Sequence, residues 1–100
     1  MDKDQIIGVL RRNESELRRR GISHAALFGS IARGEADNKS DIDIAIRLDP
    51  VLTAHMGMYD YVGLQQFIAS LFTGKVDIID RDWLKPHIKE FVEADIVDAF

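Results

Sequence analysis

Apolar positions along the chain recur with two different periods, and the change of period marks its elements. Over Asp4–Arg20, Ile6, Leu10 and Leu17 share one face while Arg and Glu fill the rest, which predicts a helix. Arg18, Arg19 and Arg20 fall in its last turn and Gly21 follows as a stop. Ile22–Phe28 reads as a strand, Ser30–Arg33 as a short helical piece ended by Gly34, and 35–40 as a polar loop. Asp41–Leu48 alternates with period two and carries three isoleucines, so it is expected to be a strand that Asp49-Pro50 ends. Helical spacing returns in Tyr59–Phe72 through Tyr61, Leu64, Ile68, Leu71 and Phe72. Lys75–Ile79 is a third strand, and Asp82 is expected to cap a short turn holding Trp83 as a core anchor. Pro86 fits the first turn of a last helix that takes in Ile88, Phe91, Val92, Ile96 and Phe100.

The order is α-β-α-β-α-β-α, which suits a single α+β domain over residues 1–100, with helices packed on one small sheet. A hydrophobic share of 46% with 30% charged residues is ordinary globular composition. The net charge of -4 argues against non-specific nucleic-acid binding as the main role. With no cysteine, disulfides, thiolate zinc sites and cysteine nucleophiles are excluded. The N-terminus does not read as a signal peptide and no apolar run is long enough to cross a membrane, so a cytoplasmic protein is the expectation.

The chemistry concentrates in "LFGSIARGEADNKSDIDIAI", Leu27 to Ile46. Alternation turns Asp41, Asp43 and Ala45 to one face of their strand and Ile42, Ile44 and Ile46 to the other. Two carboxylates side by side repel unless a cation lies between them. Mg²⁺ takes hard oxygen ligands, usually one or two carboxylates plus substrate phosphates. Two such ions suit an in-line phosphoryl displacement. Gly29 lets backbone approach a ligand, amides at a helix start attract anions, and Ser30 adds a hydroxyl. A third acid, Asp77, lies within the apolar run Val76-Asp77-Ile78. On a neighbouring strand it would complete a trio, as a proton acceptor or a ligand of the second metal. Asp80, at the strand end, is the next candidate for the third acid. His24, His55 and His87 are scattered without metal-ligand spacing and are expected at the surface or in ordinary packing.

Gly29-Ser30, then ten residues, then Asp41-Ile42-Asp43 resembles the signature of the DNA polymerase beta-like nucleotidyltransferase superfamily. The fuller string "FGSIARGEADNKSDIDIAI" resembles its minimal nucleotidyltransferase (MNT) branch, antitoxin type, over nearly the whole chain. The resemblance implies a small mixed β-sheet with helices, and transfer of a nucleoside monophosphate from a nucleoside triphosphate, with ATP the expected donor. It implies Asp41, Asp43 and Asp77 as catalytic metal ligands for two Mg²⁺ ions, with Mn²⁺ an alternative. Gly29 and Ser30 are implied as phosphate contacts, and the family's arginine of "ARG" falls on Arg33. Arg33 has an equal alternative as a surface partner of Glu35 or Asp37. Many members of the branch adenylate a HEPN-type toxin ribonuclease, which makes such a toxin the expected acceptor.

Two other readings stay open at this point. One is transfer to a small hydroxylated molecule such as an aminoglycoside, although relatives of that kind usually carry an added helical domain. The other is an antitoxin that neutralises its partner by stoichiometric contact without catalysis. A chain this short is not expected to carry a second domain that clamps its substrate, so oligomerisation is one way to hold the base and acceptor.

Overall fold

The computed structural model describes residues 1–37 and 39–100; of the polar loop expected over 35–40, residue 38 lies outside the described residues. Strands β1 (Ile22–Phe28), β2 (Ile42–Leu48), β3 (Val76–Asp80) and β4 (Val97–Asp98) form one sheet in the order β3-β2-β1-β4. β1 runs antiparallel to β2 and β4, whereas β2 and β3 are parallel, so the sheet is mixed. The small mixed sheet with packed helices is the expected α+β architecture.

Period-two alternation decides the two faces of the sheet. Ile42, Ile44 and Ile46 of β2 lie in one buried cluster with Ala25 and Leu27 of β1. Helices α1 (Lys3–Arg12), α2 (Glu14–Arg19) and α4 (Met58–Ser70) close this face with Ile6, Leu10, Leu17, Leu64 and Ile68. The other face is narrower. Ala26 and Ala45 are fully buried there, and α5 (Pro86–Asp95), with its buried Val92, packs against β1. Alanines suit that layer because they let a helix approach the sheet closely.

Four expectations are corrected. The first helix is broken at Asn13, whose side-chain amide donates to the Val9 carbonyl and whose own carbonyl accepts from Leu17 N–H. Asn competes with the helical ladder through such local bonds. The last helix stops at Asp95, and Val97–Asp98 forms β4 opposite Leu27 and Ala26. Trp83 is not a core anchor, since it is 84% exposed. The 3₁₀ turn Arg81–Trp83 is capped by Asp80, whose carboxylate accepts from Asp82 N–H, rather than by Asp82.

The burial of Arg81 explains how α5 and β4 are held. Its guanidinium lies 2.8 Å from Glu93 of α5 and 3.8 Å from Asp98 of β4. The acids remain partly hydrated, so the arginine is the member that needs both of them.

Candidate active site

The short helix α3 (Gly29–Arg33) follows β1 without a break. Gly29 makes this turn with φ +79°, a left-handed conformation that side-chain-bearing residues avoid. A second constraint comes from across the sheet, where Phe28 pairs with Asp43. A Cβ on Gly29 would overlap the Asp43 carboxylate, lying 3.1 Å from its Cγ. The glycine therefore serves both the turn and the close approach of an acid. Phe28 supplies no side-chain cap to α3. Among the described residues the Ser30 hydroxyl forms no hydrogen bond. The turn thus presents amides and a hydroxyl beside Asp43.

The strand register brings the acids together. Asp43 of β2 pairs directly with Asp77 of β3, so both side chains stand on the same face. Asp41 lies one residue ahead of β2, two before Asp43. The charges of Asp77 and Asp41 both act on Asp43. Burial first, then these two neighbours, push its carboxyl above the ordinary Asp range, against smaller opposing effects of Arg33 and Lys75. Asp80 falls elsewhere. It pairs with Ile46 and so belongs to the opposite face, where it borders a separate hollow lined by Leu48, Met56, Met58, Tyr61 and Trp83.

Arg33 adopts the surface arrangement in part. Its guanidinium meets Glu35 at 3.0 Å and Asp95 at 2.6 Å, tying α3 to α5. Asp37 is not its partner in this arrangement. The three histidines are exposed. Lys75 is a site residue that composition and motif do not mark: its ammonium lies 3.6 Å from Asp41 and 4.0 Å from Asp77. Alternation could have found it, because Lys75 stands two residues before Asp77.

The donor set fits a divalent cation of the Mg²⁺ kind. All three acids offer hard oxygens, and their mutual repulsion needs positive charge. Among the described residues they do not close into a ready three-ligand cage. Mg²⁺ does not require one, since it commonly takes one or two carboxylates and completes its shell with water and substrate phosphates.

Comparison with known proteins defines the class. The family described as polymerase beta, nucleotidyltransferase, matches residues 4–97. The chain belongs to that family, and it is a nucleotidyltransferase domain. Protein adenylyltransferase MntA of Thermococcus cleftensis is 28% identical over 95 residues, spanning 94% of this chain and 92% of that protein. A solved structure provisionally named a minimal nucleotidyltransferase is 27% identical, with a TM-score of 0.75 over 97% of this chain and 95% of its own. An MNT antitoxin solved in complex with a tri-AMPylated HEPN toxin of Shewanella oneidensis matches at 20% identity and a TM-score of 0.62, over 94% of this chain and 71% of that one. At that identity the last likeness is one of fold. No helix among the described residues is long and apolar enough to cross a membrane.

Proposed function

We propose that the chain transfers AMP from ATP to a hydroxyl group of a protein partner, a HEPN-type toxin, and so acts as its antitoxin. The carrying observation is the direct pairing of Asp43 with Asp77 beside the Gly29 turn. It gathers carboxylates where a triphosphate could lie against the start of α3, which has no side-chain cap. The names of the relatives support the protein acceptor, and the AMPylated HEPN toxin held by a protein of the same fold supports the partner.

In this reading Gly29 and Ser30 bind phosphate oxygens, the first by leaving its backbone accessible and the second through its hydroxyl. Arg33 adds a charge to the triphosphate, which requires it to loosen from Glu35 or Asp95. Asp41, Asp43 and Asp77 would hold two Mg²⁺ ions, which when bound supply charge neutralisation for the triphosphate and the departing pyrophosphate. The acceptor oxygen bonds to the α-phosphorus of ATP. The bond from that phosphorus to the oxygen bridging the β-phosphate breaks, and pyrophosphate leaves. The hydroxyl proton passes to the Asp77 carboxylate and on to solvent.

Pyrophosphate release measured with ATP, Mg²⁺ and a HEPN toxin tests the reading. Release should depend on the toxin and be lost in Asp77→Ala, while the variant still binds the toxin. Release with an aminoglycoside but not with the toxin would overturn the protein acceptor.

A further inference from the structure

The acidic cluster contains its own cation, and the sheet register explains why. Asp43 pairs with Asp77 and Ile42 with Val76. The Ile42 N–H donates to the Lys75 carbonyl at 2.9 Å, which extends the same ladder one step further. Asp41 and Lys75, each one residue ahead of its strand, are therefore neighbours at the start of the β2–β3 pair. Each stands two residues before Asp43 or Asp77 and shares its face. Four side chains make a square on one sheet face: three carboxylates and one ammonium. Gly74, at φ +92°, turns the chain after α4 and delivers Lys75 to this corner.

The distances agree with that placement. Lys75 Nζ lies 3.6 Å from Asp41 and 4.0 Å from Asp77, and among the described residues it forms no other ion pair. Arg33, the other cation acting on Asp43, is engaged by Glu35 and Asp95. Lys75 is also 70% exposed, so each of its contacts is weak and readily exchanged. A strong buried pair would block the site, whereas a weak one can yield.

We propose that Lys75 is a tethered counter-ion that neutralises the Asp41–Asp77 carboxylates in the metal-free chain and competes with a divalent cation for them. This rests on the proposed role of those carboxylates in holding metal. The ammonium and a divalent ion repel each other at this spacing, so both cannot sit between the same acids. A metal ion alone must displace Lys75 into water. A metal–nucleotide complex brings phosphate oxygens, which give the displaced ammonium a new partner. The square thereby favours entry of metal with its nucleotide over metal alone, and Lys75 is a positioning residue that sets this preference.

Binding of Mn²⁺ alone, read from the loss of the free-ion electron paramagnetic resonance signal, tests the idea without turnover. Lys75→Met keeps the aliphatic stem and removes the charge. It should bind Mn²⁺ about three- to tenfold more tightly than the parent, the size expected for lost surface repulsion. Its metal-free melting temperature should fall by about 2–5 °C, as the acids lose their counter-ion. Lys75→Arg, which keeps the charge, should bind within about twofold of the parent. Equal or weaker Mn²⁺ binding by Lys75→Met would overturn the competition. So would a loss confined to affinity for a non-hydrolysable ATP analogue, which would make Lys75 a plain phosphate contact. Failure of the parent and both variants to bind Mn²⁺, with and without that analogue, would instead overturn the underlying metal reading.

Discussion

Asp43 packs so closely against the backbone of Gly29 that a single methyl group on the glycine would collide with its carboxylate. Gly29→Ala therefore meets two penalties at once, the overlap and a left-handed φ. Together they should cost about 1–3 kcal/mol of stability. Relief requires Asp43 to move, so AMP transfer should fall much further than the melting temperature implies. Thermal melting and turnover on the same preparation separate the two effects. Ser30→Ala is the milder companion. It should weaken binding of a non-hydrolysable ATP analogue by about 1–2 kcal/mol in calorimetric titration, through loss of one bond to a charged group, and leave stability unchanged.

Asp43 and Asp77 carry like charge at directly paired positions, an arrangement that destabilises a sheet. Asp43→Asn should therefore raise the metal-free melting temperature while abolishing transfer. The sign follows from the raised carboxyl, because the folded chain disfavours the ionised form and neutral asparagine removes that cost at pH 7. Adding Mg²⁺ and nucleotide should stabilise the parent more than the variant. Melting curves with and without both ligands show this directly, and a variant that transfers AMP at the parental rate would contradict the assigned role.

Much of this site is legible in the sequence. Asp43 stood out because an acid between isoleucines needs a reason, and the Gly29-Ser30 turn at its fixed spacing supplied one. The pairing of Asp77 with Asp43 was less legible, since it depends on β3 lying parallel to β2, which local pattern does not specify. Strand β4 was hidden for a different reason. Val97 and Asp98 are too few to show alternation, and Ile96 and Phe100 continue the helical spacing of α5. Size and apolarity favour burial of Trp83, yet the turn capped by Asp80 leaves it outside the core. Alternation alone would set Lys75 beside Asp77, but its approach to Asp41 depends on the register of β2 and β3.

Asp80 provides a test of pH dependence away from the chemistry. Its carboxyl is raised, chiefly by burial, with the Asp82 amide pulling the other way. A carboxylate raised on folding costs stability at pH above its folded pKa, and the cost fades as pH falls through that value. Asp80→Asn keeps an oxygen to accept from the Asp82 amide. It should raise the melting temperature by about 1–3 °C at pH 7, with the gain shrinking toward about pH 4. Melting at several pH values checks the trend, and AMP transfer should persist because Asp80 lies on the opposite face from Asp43.

Acting as a catalyst on a protein acceptor, this chain should modify far more toxin molecules than its own number. Intact-mass analysis of a HEPN toxin tests it, after incubation with ATP, Mg²⁺ and the chain at a small fraction of the toxin concentration. Most toxin molecules should gain one or more AMP units, and Asp43→Asn should give none while remaining folded. Unmodified toxin, neutralised only when the chain is present copy for copy and equally well by Asp43→Asn, would contradict it.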